Sequence, residues 1–364
     1  MLISELSEQI RHADDIQEPL RIRGGGSKDF YGLLLQGNVL NTSAYRGITS
    51  YEPTELVVTA KAGTLLSEIE GELAAKNQML AFEPPRFNSQ STIGGVVAAG
   101  LSGPRRASVG AVRDFVLGAS LLNHRGDELH FGGQVMKNVA GYDVSRLLCG
   151  SLGVLGVISQ VSLKVLPTVN GDATVQVACS QEQALIWLNK WAGKPLPIVS
   201  SSWQSANNSG VLHLRLAGAP AAVIAAQNTL KVDAPFERMD DTQAFSFWAA
   251  IRDQTHAFFA ATALVRYSVP SIATAIPIPH GSNALIEWGG SLRWLSFANV
   301  EEAKEHIAKN LAASLGGSVS LYRQANGQAM FAPLDAASLK LHQRLKTEFD
   351  PNGIFNRGRL HASF

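Results

Sequence analysis

The 364 residues are 46% hydrophobic and 17% charged, enough apolar material for a substantial buried core, and a length that favours two domains over one. Its 31 basic residues nearly cancel its 30 acidic ones, a formal charge of +1, so no large positive field is available to steer nucleic acid. Only two cysteines occur, Cys149 and Cys179, which excludes an iron–sulfur cluster held by four thiolates of this chain; both are expected to be buried and reduced.

The opening MLISELSEQIRHADDIQ sets Leu2, Ile3, Leu6 and Ile10 at helical spacing and lacks the basic start and apolar run of a signal peptide. A first helix and a cytosolic location are expected. RIRGGGSKDF then places Gly24, Gly25 and Gly26 between Arg23 and the Ser27-Lys28 pair. Consecutive glycines can aim several N–H groups into one anion-binding concavity, with charge and a hydroxyl beside it; a loose surface turn is the alternative. The glycines do not fit the G-x-G-x-x-G dinucleotide fingerprint, and no GKS or GKT follows, so the usual NAD and Walker-type routes are excluded.

ELVVTAKAG reads as an apolar strand, after which Thr64 is expected to cap a helix bearing Leu66, Ile69 and Leu73 on one face. Residues 84–110 are dense in Gly, Ala and Ser, with a short helix expected at Gly95 to Gly100 and backbone available to lie close against something flat or extended. The longest weakly polar stretch, TIGGVVAAGLSG, is too short and glycine-rich to span a bilayer, so membrane attachment would be peripheral. HRGDELH reads as a hairpin turning at Arg125-Gly126-Asp127, its histidines incidental. No histidine or cysteine spacing suggests a metal.

Farther on, Val161, Leu163 and Val165 alternate with Ser162 and Lys164 as in a half-exposed strand, and Pro167 ends the pattern at an expected domain boundary. Six tryptophans, among them Trp248, Trp288 and Trp294, mark a second domain. Asp335 is expected to cap a last helix whose Leu341, Leu345 and Phe349 share one side, stopped by the turn Asp350 to Gly353.

Three blocks carry a resemblance: RGGGSKDFYG at 23–32, PPRFNSQSTIGGVVAAGLSGPRR at 84–106 and KNVAGYDVSRLLCGSLGVLGVI at 137–158. Together they resemble the FAD-binding domain of the vanillyl-alcohol oxidase and p-cresol methylhydroxylase (PCMH) superfamily. FGGQVMKNVAGYD and the terminal FDPNGIFNRGRL narrow this to the E subunits of bacterial glycolate oxidases. The likeness is dense over the first 167 residues, clear over the last twenty and looser between.

The resemblance implies an α+β fold: a PCMH-type FAD-binding domain of two α+β subdomains over 1–167, a smaller α+β cap or substrate-like domain over 168–332, and a C-terminal helix and tail, 333–364, packing back on the FAD domain. It assigns the FAD pyrophosphate to Gly24, Gly25, Gly26 and Ser27, with Arg23 and Lys28 offsetting charge. Thr92, Ile93, Gly94, Gly95 and Gly100 would lie along the pyrophosphate and ribitol, with Ser102, Gly103 and Arg105 nearby, although a solvated loop pair would equally explain Arg105 and Arg106. Gly150, Ser151, Gly153, Gly156, Val157 and Ile158 would surround the adenosine half and pyrophosphate, a glycine-interrupted core strand being the alternative. Lys137, beside Asn138, either tunes the reduced flavin or makes a structural ion pair. Tyr142 and Asp143 either stabilise the bend before the strand or face the flavin. Where family members carry Asn-Pro-Gly, this chain has Asn356-Arg357-Gly358, leaving Asn356 as a cofactor contact.

No histidine or cysteine stands in the glycine loop or the second block, so the FAD is expected to be noncovalent. The His-x-Gly-Asp-Gly-Asn metal motif of some relatives is missing. Two readings follow. One is a relay or auxiliary flavoprotein of a glycolate-oxidising complex, beside a paralogous catalytic flavin subunit and an iron–sulfur subunit, at the cytoplasmic face of the inner membrane or free in the cytoplasm. The other is an autonomous 2-hydroxy-acid dehydrogenase or oxidase holding substrate through Arg252, Arg266 and Arg293, walled by Trp248, Trp288 and Trp294. A non-redox assembly scaffold is a third use of the same fold.

Overall fold

The computed structural model describes residues 2–33, 36–133, 143–206, 209–324 and 330–364. The chain divides into two units: Met1–Ser102, Ala111–Pro167 and Pro333–Phe364 form the first, and Gly103–Gly110 with Thr168–Ala332 form the second. A contiguous first domain is therefore not what is seen, because Gly103–Gly110 groups with the second unit.

In the first unit the helix Ile3–Asp15 buries Leu6, Ile10 and Ala13, the positions that its 3–4 spacing brings to one stripe, and leaves Leu2 exposed. These side chains pack on Leu20, Leu40, Leu122, Val157, Ile354 and Phe355. The strands Leu20–Arg23 and Asn38–Asn41 pair in parallel. A parallel pair needs a crossover connection, and the glycine run stands at its start. Leu20 also bridges Phe355, which brings the C-terminal tail alongside.

An antiparallel sheet completes this unit, in the order Ile48–Glu52, Val57–Lys61, Val157–Lys164, Val116–Leu122, Glu128–Gly132. The last two strands form the hairpin expected at HRGD, with Leu122 opposite Glu128. Val157–Lys164 is central and buried on both faces, not half-exposed: Ser162 shares a hydrogen bond of 2.9 Å with Thr59 on the neighbouring strand. Thr64 does not cap the following helix, Leu66–Ala74; its hydroxyl donates to the Lys61 carbonyl and accepts from the Gly47 N–H, and Leu65 takes the cap position.

The helix Ala336–Phe349 is capped by Asp335, which accepts from Ala337 and Ser338. Its buried contact is not the expected Leu341, which is exposed, but Lys346. The Lys346 ammonium meets Asp350 at 2.5 Å and also donates to the carbonyls of Val154 and Phe355, fastening the helix end to the 150s segment.

The second unit is built on an eight-stranded antiparallel sheet, ordered Glu237–Arg238, Gly171–Ala178, Ser209–Gly218, Ile198–Ala206, Asn283–Glu287, Leu292–Phe297, Ala263–Ser268, Ser318–Gln324. The helices Gln181–Ala192, Pro220–Asp233 and Val300–Ala308 contribute Leu188, Trp191, Leu230 and Ala303 to a core with Val175, Leu214, Val265 and Leu295. Sheet alternation sends the intervening residues, including Thr174, His213, Ser202, Glu287 and Arg266, to the opposite face. The helix Asp241–Asp253 covers part of that face through the Trp248 indole, which donates to Thr174 at 2.9 Å.

Candidate functional site

Residues 24–28 leave the strand Leu20–Arg23 and run along one wall of an open cavity in the first unit. Among the described residues, none of the backbone N–H groups of Gly25, Gly26, Ser27 and Lys28 donates to a protein atom. Successive unspent amides on a concave wall are what an anion with several oxygens requires. Glycine is dictated by packing as well: a Cβ on Gly25 would stand 1.5 Å from the carbonyl oxygen of Gln90.

Charge on this wall is unevenly committed. Arg23 donates to Asp29 at 2.8 Å, and Arg21 approaches the same carboxylate at 4.0 Å. Lys28, part-buried, donates to the hydroxyls of Ser27 and Ser91 at 3.1 and 2.7 Å, and desolvation pushes its pKa down to about 8. Arg359, from the C-terminal tail, donates to the carbonyls of Lys28, Asp29 and Leu33, holding the loop from behind. Sequence reasoning did not find Arg359, because its three partners lie more than three hundred positions away.

The other two glycine-rich stretches meet the first around this cavity. Thr92 caps the helix Ile93–Ala99 by accepting from Gly95, and Gly94 and Gly95 line the cavity with Ala98 and Ala99. Gly150 and Leu152 donate to the carbonyls of Val97 and Ala98, joining the third stretch to the second, and Gly153, Gly156 and Ile158 complete the lining. Asn356 is also at the wall, but its amide is spent on protein: it accepts from the Ile22 N–H and donates to the Leu152 carbonyl. Gly153, with φ of +75°, must lack a side chain, since a Cβ would fall 2.7 Å from the Asn356 nitrogen.

Several expected contacts lie off this lining. Ile93 and Val157 are buried in the core. Gly100 ends its helix, Ser102 accepts from the Val112 N–H, and the buried Ser151 accepts from Gly153. Gly150 belongs to the joint between stretches. Gly103 and Arg105 fall in the second unit, where Gly103 accepts from the Trp288 indole and Arg105 stands 3.9 Å from Asp172. Lys137, Asn138 and Tyr142 lie outside the described residues, whereas Asp143 caps the short helix Val144–Leu147.

Of the three arginines proposed for substrate, Arg293 is buried with its guanidinium on the carbonyls of Ala273, Thr274 and Gly290, a structural strut. Arg252 pairs with Asp253 at 2.6 Å. Arg266 lies between the rings of Trp288 and Trp294, 5.6 and 5.7 Å from their centroids. Nearby, Glu287 accepts from the Trp294 indole, and burial pushes its pKa up to about 7. Both cysteines are free; Cys179 is buried and Cys149 is partly so. Among the described residues no cluster of side chains suits a metal ion, and no helix is long and apolar enough to cross a membrane.

Residues 3–132 match the FAD binding domain family FAD_binding_4. Over 358 residues the chain is 40% identical to glycolate oxidase subunit GlcE of Escherichia coli (strain K12), an alignment covering 98% of this chain and 97% of that protein. The chain belongs to this family of glycolate oxidase subunits. It is 28% identical over 202 residues to a D-lactate dehydrogenase of Archaeoglobus fulgidus, covering 53% of this chain and 44% of that one. With glycolate oxidase subunit GlcD of Bacillus subtilis (strain 168) it shares 30% identity over 167 residues, 45% of this chain and 35% of the other. Among solved structures, alkyldihydroxyacetonephosphate synthase superposes with a TM-score of 0.69 at 15% identity, covering 97% of this chain and 75% of that one, a likeness of fold. The fold is thus the PCMH-type α+β architecture, the protein is a flavoprotein, and its cofactor is FAD.

Proposed function

We propose that this chain is the FAD-carrying E-type subunit of an assembly that oxidises glycolate to glyoxylate, and that the cavity of the first unit holds the dinucleotide noncovalently. In this reading the amides of Gly25 to Lys28 bind the pyrophosphate, Thr92 with Gly94 and Gly95 lies along the ribitol side, and Gly153, Gly156 and Ile158 contact the adenosine half. Asn356 and Arg359 position these segments and do not touch the cofactor. Bound FAD would supply an acceptor for the two electrons that glycolate loses, and a carrier for passing them on.

The observation that carries the proposal is the row of unspent loop amides on a cavity where three glycine-rich stretches meet, in a chain related to GlcE over nearly its whole length. An auxiliary or relay role beside a catalytic flavin subunit and an iron–sulfur subunit is favoured by the state of the second-unit arginines. Arg293 is spent on carbonyls and Arg252 on Asp253, which leaves Arg266, stacked on Trp288 and Trp294, as the one of the three still available to a substrate carboxylate.

The test is purification of the isolated chain and of the assembly from its native host, with flavin content and glycolate-dependent dye reduction measured on both. The isolated chain is expected to carry FAD and to reduce little dye, while the assembly turns over. Robust turnover by the isolated chain would replace the relay reading with an autonomous dehydrogenase.

A further inference from the structure

Amides left free for a ligand cannot hold their own loop in shape. The backbone bonds that follow them are short-range, from Asp29 to the Gly26 carbonyl and from Tyr31 to that of Lys28, so side chains must fix the loop. Arg359 does so from the tail, on the carbonyls of Lys28, Asp29 and Leu33. A second tie is aromatic: the half-buried rings of Phe30 and Phe87 meet edge to face, centroids 5.1 Å apart and planes at 75°.

Phe87 stands on a fixed base. Beside it Arg86 pairs at 2.6 Å with Glu70 of the helix Leu66–Ala74, and farther along the Ser91 carbonyl accepts from Leu66 at 2.8 Å. The same segment is the floor of the loop, since the Gln90 carbonyl lies where a Gly25 Cβ would fall. Phe87 itself has φ of +60°, a left-handed conformation that a bulky side chain seldom adopts and that its surroundings must enforce. Neither ring lines the cavity.

From this geometry we propose that Phe87, acting through Phe30, is a positioning residue that holds the amide loop in its binding shape before any cofactor arrives. The inference rests on the reading of the cavity as the FAD site. A loop ordered in advance loses less conformational entropy when the ligand enters, which raises affinity without any new contact. Removing either ring therefore weakens binding by loosening the free loop.

The experiment titrates the full chain, stripped of flavin, with FAD by calorimetry, and digests the same flavin-free proteins briefly with trypsin, which cuts after Arg23 and Lys28 only where the loop opens. Phe87→Gly, which accepts the backbone conformation, and Phe30→Ala are each expected to bind FAD about tenfold more weakly. The double variant should be no weaker than either alone, because both remove one contact. Both single variants should be cut at Arg23 and Lys28 where wild type resists, saturating FAD should restore resistance, and Phe87→Tyr should behave as wild type. Wild-type affinity in both variants would overturn the proposal. So would losses that multiply in the double variant, or weak binding by a loop that still resists trypsin. Should Phe87→Gly fail to fold, Phe30→Ala decides alone. A wild-type chain that binds no FAD would instead overturn the placement of the cofactor, and the digestion of the flavin-free proteins would still decide whether Phe87 holds the loop.

Discussion

The side-chain nitrogen of Asn356 lies 2.6 Å from the carbonyl oxygen of Leu152, and both groups are buried beneath the cavity. With its oxygen on the Ile22 N–H, this one amide ties the C-terminal tail to the strand before the glycine loop and to the third glycine-rich stretch. Asn356→Ala leaves a buried carbonyl and a buried N–H without partners and places alanine at a φ of 40°, so a loss of about 2–4 kcal/mol is expected. Urea denaturation of flavin-free protein measures it. Asn356→Asp, which sets an acceptor against the Leu152 carbonyl and buries a charge, should lose at least as much.

Gly25→Ala should abolish flavin uptake, because the added carbon meets the Gln90 backbone at 1.5 Å and the loop cannot close. The check is visible flavin absorbance of the purified variant, with circular dichroism to show that the rest of the chain has folded. Gly71→Ala serves as the control. That glycine is exposed in the helix Leu66–Ala74 and has nothing within 4 Å of an added Cβ, so the change should stabilise by about 0.5–1 kcal/mol and leave flavin content unaltered.

Glu287 sets a pH dependence in the second unit. Its folded pKa of about 7 lies above the model-compound value of 4.5, so the folded state binds more protons than the unfolded state between those values. The stability this confers is full below about pH 4.5 and is lost as pH rises through 7. Glu287→Gln should remove the dependence and be more stable than wild type at pH 8, by up to roughly 3 kcal/mol. His213, lowered to about 4 by burial, acts oppositely as pH falls, so the difference between wild type and Glu287→Gln isolates the carboxyl. Denaturation at pH 5 and pH 8 tests this; parallel curves for the two proteins would reject it.

What was legible in the sequence was local. The Asp335 cap, the HRGD hairpin and the stripe of Leu6 and Ile10 depend on residues three or four apart, and they form as read. Thr64 and Ser162 were misread because their partners, Gly47 just before the strand Ile48–Glu52 and Thr59 within Val57–Lys61, are set beside them only by the folded sheet. The same limit divides the candidate site. A glycine run announces exposed amides by its own composition, whereas nothing near Arg359 announces that its side chain ends under a loop more than three hundred residues earlier, nor near Asn356 that its amide is spent on Ile22 and Leu152.

The return of residues 333–364 to the first unit imposes an order of events on biosynthesis. When the second unit emerges from the ribosome, the segments that form the cavity still lack the tail that pins two of them together. Until Asn356 and Arg359 have been translated and docked, the nascent first unit stands open along its apolar Leu20 and Leu40 seam. A complete cavity therefore waits on residues far along the chain, and until they dock this half has more need of chaperone protection than the continuously translated sheet of the second unit.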